Sequence, residues 1–264
     1  MLSMMTLLTA MTVQATAPPP PARCCPIVEL RQYTLHPGKL DGFIPLFERE
    51  FIETQEAVGI SVIGHFRDRD DPDRFVWLRG FPDMPARAEA LQAFYGGPVW
   101  KAHRDEANAS FIDTDNVLLL RPVSAVSGFA PAKQSRPPIG TSALASGIVV
   151  ATIYSFDAPV SADFRTFFEH EIKPELHKGG ISVAAELETE SSPNTFPRLP
   201  VRADENVFIW IATFATPDVY VKSLARLEQS RSWREKIAPA LKRRLKSPAQ
   251  VLRLTPAPRS LLHG

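Results

Sequence analysis

The four residues GISV at positions 59–62 occur again at positions 180–183, 121 positions further along the chain. At the same spacing, the alternating stretch 27–35 falls on 148–156. Further on, VWLRGFPD at 76–83 is similar to IWIATFATPD at 209–218, and here the spacing has grown to 133 positions. Landmarks that keep their order over such distances predict two copies of one structural module in tandem.

The growth in spacing locates one insertion. It amounts to 12 residues and falls in the second copy, in the loop 191–206. Trp77 and Trp210 are 133 positions apart, as are Trp100 and Trp233, so all four tryptophans fit the repeat. A stretch rich in Pro, Ala and Ser between the copies is typical of a linker. We therefore predict a disordered leader or weak signal at 1–24, a first domain at 25–123, the linker at 124–146 and a second domain at 147–257.

Hydrophobic periodicity gives the elements of the first copy. Strands are predicted at 27–35, 60–67, 74–81 and 117–121, and helices at 41–58, 84–95 and about 98–109. With Asp41 as the N-cap, Pro45 would lie in the first turn, where its missing N–H has no partner to lose. The order β-α-β-β-α-β is that of a ferredoxin-like unit, so the fold class is α+β. Two such sheets can pack face to face into a barrel-like core.

Three stretches of the first copy resemble the NIPSNAP-domain proteins of the dimeric α-β barrel superfamily. They are VELRQYTLHPGK at 28–39, DDPDRFVWLRGFPD at 70–83 and FYGGPVWKAHRDEAN at 94–108. The resemblance is looser in the second copy. It implies tandem modules that form a dimeric α-β barrel-type pseudo-dimer within one chain. Relatives in the superfamily include monooxygenases of antibiotic biosynthesis, haem enzymes and small stress-response proteins, so the resemblance implies a fold rather than an activity.

Composition excludes several classes of function. The net charge is +1, from 30 basic and 29 acidic residues, which does not favour nucleic acid as a partner. No stretch approaches the ~20 apolar residues of a membrane span. Cys24 and Cys25 are adjacent and close no useful loop, so a disulfide framework is excluded. Residues 15–17 read Ala-Thr-Ala, as at a signal cleavage site, but no basic residue precedes them. We predict a cytoplasmic protein, with export through residues 1–17 as the alternative.

Strand alternation shows which polar side chains share a side. Glu29, Arg31 and Tyr33 lie on one side of the first strand, opposite Val28 and Leu30. Because a helix-covered face should be apolar, we expect the polar side to face a cavity between the two sheets. The candidate catalytic residues are His65, Tyr33 and Arg31, and the candidate ligand-binding residues are Glu29, Arg67, Trp77, Arg79, His103, Tyr154, Glu186 and Trp210. A dry interface between the sheets, without Arg31, His65 or Arg79 exposed to it, would contradict this site.

Simpler interpretations exist for these residues. Arg31 and Glu29 could form a structural ion pair, Tyr33 and Trp77 could be packing anchors, and His103 suits a helix surface. His170 and His177 share a helix face, but Pro174 lies between them and no metal-site pattern is complete. No nucleotide-binding glycine motif or GxSxG elbow is present, and no cofactor is predicted.

Two hypotheses of function remain. In the first, the chain binds a hydrophobic or aromatic small molecule and, if it is an enzyme, performs cofactor-independent oxygenation or proton transfer. Tyr33, His65, Arg31 and Arg79 would then orient and polarise the substrate, and Trp77 would stack on it. In the second, the chain is a non-catalytic interaction or scaffold protein. The sequence leaves open whether the chain forms a homo-oligomer.

Overall fold

The structure is a computed structural model that describes residues 24–131, 134–144 and 146–264. The predicted leader lies outside the described residues, except for Cys24, which forms a vicinal disulfide with Cys25. We use "first module" for β1 to β5 with their helices, and "second module" for β6 to β9 with theirs.

The first module has five strands and four helices. The strands are β1 (Ile27–Leu35), β2 (Ser61–Asp68), β3 (Arg74–Phe81), β4 (Phe111–Asp113) and β5 (Val117–Pro122). The helices are α1 (Leu40–Leu46), α2 (Ile52–Glu56), α3 (Met84–Gly96) and α4 (Pro98–Asn108). The short strand β4, which pairs with the end of β1, was not predicted from the sequence.

The second module repeats this order without a counterpart of β4. Its strands are β6 (Ile148–Phe156), β7 (Val183–Thr189), β8 (Asn206–Phe214) and β9 (Gln250–Pro256). Its helices are α5 (Ala162–Phe167), α6 (Lys173–Lys178), α7 (Pro217–Gln229) and α8 (Ala238–Arg244). None of the helices that the structure describes is both long enough and apolar enough to cross a membrane.

The first helical stretch of each module contains a π-helical turn. This turn covers Phe47–Phe51 in the first module and Phe168–Ile172 in the second. The expectation that Asp41 caps α1 is wrong, because Lys39 is the N-cap and Asp41 lies in the first turn. Pro45 therefore lies inside α1, where it cannot donate a backbone hydrogen bond, and α1 gives way to the π turn two residues later.

Eight strands close into an antiparallel barrel. Their order is β3-β2-β9-β6-β8-β7-β5-β1, and β1 also pairs with β3. The two modules join where β2 meets β9 and where β5 meets β7. A closed barrel leaves none of these strands with an unpaired edge. The predicted α+β fold is confirmed. Its tandem ferredoxin-like modules form a pseudo-dimer of the dimeric α-β barrel type.

Aliphatic side chains fill the barrel interior. They include Val28 and Leu30 of β1, Val76 and Leu78 of β3, and Ile209 and Ile211 of β8, all of which are almost fully buried. The polar side of β1 instead faces the helices of the first module. The prediction that this side faces a cavity between the sheets is therefore wrong: the interface is filled, and Arg31, His65 and Arg79 do not face it. Both faces of the sheet are buried, but only the outer one meets helices, whose side chains can pair with polar groups.

Candidate functional site

Aromatic side chains surround a small cavity between the sheet and the helices of the first module, which we call the aromatic pocket. Its volume is about 100 Å³. Tyr33 and Trp77 line it from the strands, and Tyr95 and Trp100 line it from the side of α3 and α4. Three phenylalanines of the first helical stretch, Phe43, Phe47 and Phe51, complete the wall on that side. The pocket can hold an apolar or aromatic group.

A buried ionic cluster adjoins the aromatic pocket. It consists of Glu29, Arg31, Arg79 and Arg87, and we call it the arginine cluster. Glu29 Oε2 accepts hydrogen bonds from Arg31 Nη1 at 2.6 Å and from Arg79 Nε at 2.7 Å. Glu29 Oε1 accepts one from Arg87 Nε at 2.6 Å. All four side chains are at most 1% exposed. Three guanidiniums thus share one carboxylate, so the cluster carries two positive charges in excess.

The electrostatics of the cluster fix its charge state. Burial alone would raise the pKa of Glu29, but Arg79, Arg31 and Arg87 outweigh it and hold that pKa well below its ordinary value. Glu29 is therefore ionised at neutral pH. Burial raises the pKa of Tyr33, although the positive charge of Arg31 opposes the rise. Tyr33 is therefore a protonated phenol, and its hydroxyl oxygen accepts a hydrogen bond from Arg31 Nε at 2.7 Å.

Two aromatic rings connect the cluster with the pocket. The Arg31 guanidinium lies 5.3 Å from the ring of Tyr33 and 5.7 Å from that of Trp77. The Arg79 guanidinium lies 4.9 Å from the ring of Trp77, which is cation–π distance. Within the described part of the chain, Trp77 Nε1 and Arg79 Nη2 are buried donors without a hydrogen-bond partner. A bound molecule with an acceptor atom would supply the partner that such donors normally have.

Five of the residues predicted from the sequence come together here: Glu29, Arg31, Tyr33, Trp77 and Arg79. His65 shares their face of the sheet, and its ring packs against Phe47 at 5.3 Å between centroids. It does not line the aromatic pocket; instead, His65 Nε2 bonds to Glu48 Oε1 at 2.8 Å. Burial lowers the pKa of His65, and its hydrogen bond with Glu48 opposes that shift.

Other predicted residues lie apart from this site. Arg67 pairs with Asp41 at 2.7 Å, and His103 Nε2 lies 3.4 Å from Glu50 Oε2; both are partly exposed. In the second module, Tyr154 and Trp210 belong to a separate core, and Glu186 pairs with Lys173 at 2.8 Å. The predicted residues that come together therefore all belong to the first module.

Among the contributors that sequence reasoning missed, Arg87 and Leu199 show two different reasons. Arg87 completes the arginine cluster from α3, where Met84, Arg87, Leu91 and Phe94 form one buried face. Their spacing of three and four residues could have marked Arg87 as buried. Leu199 lines the aromatic pocket from the loop between β7 and β8, in the second module. No local pattern in the sequence indicates this contact.

Comparisons with known proteins agree with the fold. Residues 28–126 match the family model NIPSNAP. A candidate monooxygenase from Lactobacillus acidophilus is 14% identical over 88% of this chain and 94% of its own, with a TM-score of 0.52. A candidate monooxygenase from Fusobacterium nucleatum is 12% identical over 89% of this chain and 93% of its own, also with a TM-score of 0.52. At such identities the likeness is one of fold.

Another similar structure covers less than half of the chain. An uncharacterised NIPSNAP-like domain protein from Burkholderia xenovorans is 30% identical to this chain. The match covers 43% of this chain and 92% of that protein, with a TM-score of 0.35. No curated protein sequence matches the chain significantly.

Proposed function

Because the chain belongs to the NIPSNAP family, and residues 28–126 match the family model, we propose that the first module carries the activity. We propose that this module binds a small aromatic molecule with an anionic group. The observation that carries the proposal is the contact of the arginine cluster with the aromatic pocket. Tyr33 and Trp77 line the pocket and also touch the guanidinium of Arg31.

The aromatic walls account for the apolar part of the ligand. Rings that meet edge to face, such as Tyr33 and Trp77 at 6.0 Å between centroids, offer both ring faces and ring edges to an inserted aromatic group. A ligand of this kind exchanges water for apolar contacts, which is the main favourable contribution to binding in such pockets.

The excess charge accounts for the anionic part. Two uncompensated positive charges buried among aromatic rings are costly, and an anionic ligand would neutralise one of them. Trp77 Nε1 and Arg79 Nη2, which lack partners among the described residues, would donate to a carboxylate, phenolate or enolate oxygen.

The same arrangement suits cofactor-independent oxygenation of an electron-rich anion. A phenolate or enolate is the form of such substrates that reacts with dioxygen, and Arg31 would stabilise its negative charge. Tyr33 would hold or return a proton at its hydroxyl oxygen, and Trp77 would stack on the ring. His65 has no role in this proposal, because its imidazole is engaged by Glu48 outside the pocket.

Tryptophan emission provides the test of binding. In a Trp210→Phe/Trp233→Phe parent, the remaining emission comes from Trp77 and Trp100, which both line the pocket. Benzoate is titrated against benzamide, its neutral counterpart. We expect benzoate to bind at least ~10-fold more tightly, and Arg79→Met to remove this preference, since the buried charge-assisted hydrogen bond from Arg79 Nη2 is lost. Arg67→Met is the matched control, because Arg67 pairs with Asp41 outside the pocket.

The outcomes separate the hypotheses. Equal binding of benzoate and benzamide, or a preference that survives Arg79→Met, would exclude the anion site. Failure of both probes to bind would favour the interaction or scaffold alternative. Catalysis is tested by oxygen uptake with a series of acidic phenols. Uptake that is lost in both Arg31→Met and Tyr33→Phe would support oxygenation, whereas unchanged uptake in these variants would contradict it.

A further inference from the structure

The insertion found in the sequence of the second module crosses onto the first module. We call residues 190–205, between β7 and β8, the insertion loop. Its two ends are attached to β5 of the first module: Glu190 N–H donates to Leu119 O at 2.9 Å, and Arg202 N–H donates to Val117 O at 2.8 Å. The middle of the loop, residues 191–201, therefore extends over the helices of the first module from two fixed points.

One aromatic side chain packs the middle of the loop against the first module. Phe196 is 7% exposed and belongs to the aromatic core of the first module. Its ring stacks on that of Tyr95, with 6.0 Å between centroids and 23° between planes. Both Tyr95 and Leu199 line the aromatic pocket. The loop thus contributes part of the pocket wall and packs against another part.

Hydrogen bonds also join the middle of the loop to the arginine cluster. Arg87 Nη1 donates to Asn194 Oδ1 at 2.9 Å and to Thr195 Oγ1 at 3.3 Å. The same guanidinium donates to Glu29 through Nε. Thr195 Oγ1 also donates to Met84 O at 3.0 Å, at the start of α3. The position of the loop is therefore linked to the charges beneath the pocket.

We propose that the insertion loop is a lid, supplied by the second module, that closes the aromatic pocket of the first and limits the size of its ligand through Phe196 and Leu199. The ligand itself rests on the proposed function, whereas closure does not. The middle of the loop has no helix or strand and exposes residues 191–193, 195, 197, 198 and 200. Lifting it separates Phe196 from Tyr95 and breaks the bonds to Arg87 and Met84, while the attachments to β5 stay in place.

Closure can be measured without any ligand. In a Trp100→Phe/Trp210→Phe/Trp233→Phe parent, emission comes from Trp77 alone, which is 3% exposed. Acrylamide should quench it weakly. We expect Phe196→Ala/Leu199→Ala to raise the Stern–Volmer constant at least twofold. Arg198→Ala should not change it, because Arg198 lies exposed in the same loop.

A milder variant tests the lid if Phe196→Ala/Leu199→Ala does not fold. Asn194→Ala/Thr195→Ala removes the bonds to Arg87 and leaves Phe196 in place, and it should raise quenching to a smaller extent. Circular dichroism verifies that each variant is folded. The lid would be overturned if acrylamide quenched these folded variants no more than the parent. This holds for the variant without Phe196 and Leu199 and for the variant without the Arg87 contacts.

Ligand size gives a second readout. In a Trp210→Phe/Trp233→Phe parent, Phe196→Ala/Leu199→Ala should bind 2-naphthoate at least tenfold more tightly relative to benzoate. A ratio equal to that of the parent would overturn the role in selection. If neither probe binds while quenching still rises, the lid stands and the proposed ligand class fails. The two inferences are thereby tested separately.

Discussion

Arg87 and Glu29 form a fully buried ion pair between α3 and β1, with Arg87 Nε 2.6 Å from Glu29 Oε1. Arg31 and Arg79 bind the other oxygen of the same carboxylate. Glu29 therefore holds three side chains that would repel one another without it. The arrangement of the candidate site depends on this one residue.

Replacement of Glu29 by glutamine should strongly destabilise the protein. The amide keeps the size of the side chain but removes the negative charge, so three guanidiniums are left buried without a counter-ion. We expect the free energy of unfolding to fall by about 3–5 kcal/mol, the usual range for one broken buried ion pair. Urea denaturation followed by circular dichroism measures the change.

Asp70→Asn is the matched control for Glu29→Gln. Asp70 also pairs with an arginine, Arg253, but both side chains are substantially exposed. The loss should be within about 0–1 kcal/mol, since solvent screens exposed ion pairs. Similar losses in the two variants would show that the arginine cluster is no more important to stability than a surface pair.

Stability should fall with acidification in two stages. Burial lowers the pKa of His65 from its ordinary 6.5, against its hydrogen bond with Glu48, and Arg136 and Arg259 lower it further. As the pH falls, His65 is therefore protonated in the unfolded chain before it is protonated in the folded protein. The contribution of His65 to stability is fully present above about pH 6.5 and declines below it. The pKa of Glu29 is lowered from 4.5, so its contribution is complete above that pH and declines below it.

Glutamine at position 65 separates the two stages. His65→Gln cannot titrate, and its amide can still donate to Glu48. Urea midpoints of this variant should not change between pH 7 and 5.5 and should fall only in the acid range. A parent protein equally stable at pH 7 and 5.5 would contradict the assignment of the first stage to His65.

Two glycines, one inside the first helical stretch and one after it, should respond to alanine in opposite directions. Gly42 is an exposed residue of α1, with open space where a Cβ would lie, and alanine should stabilise the protein by about 0.5–1 kcal/mol. Gly59 follows α2 with φ +90°, and alanine there should cost about 1–2 kcal/mol. Thermal unfolding of both variants measures the two signs. Equal shifts of Tm in the two variants would mean that backbone conformation at the glycine does not decide the effect of alanine on stability.

The fold could be predicted from the sequence because its signals are either local or repeated. Alternation located β1 and β3. The spacing of 133 positions, shared by Trp77 with Trp210 and by Trp100 with Trp233, located the second module. The order of elements then implied the barrel. Alternation also showed that Glu29, Arg31 and Tyr33 share a side. It could not show which side faces the barrel interior, since either face is buried and the choice depends on what the helices bring.

Contacts between distant parts of the chain were beyond prediction. Arg87 meets Asn194 across 107 positions, and no periodicity relates the two. The difference between the modules was partly visible. Tyr33 and Trp77 correspond to Tyr154 and Trp210, yet Trp210 Nε1 donates to Tyr154 Oη at 3.0 Å, whereas the Tyr33 hydroxyl bonds to Arg31. The arginine that changes this pairing has Thr152 at its place in the second module, as the repeat shows.

The segment after β9 bears on how the protein folds during synthesis. Ala257 N–H donates to His65 O at 3.0 Å, His65 N–H donates to Ser260 Oγ at 3.2 Å, and Arg259 N–H donates to Glu48 Oε1 at 2.9 Å. Residues synthesised after the last strand of the barrel thus satisfy backbone and side-chain groups of β2 and the π-helical turn. The first module emerges from the ribosome first but cannot complete its hydrogen bonds there. Nascent chains stalled before residue 257 should therefore be more sensitive to protease near β2 than released ones.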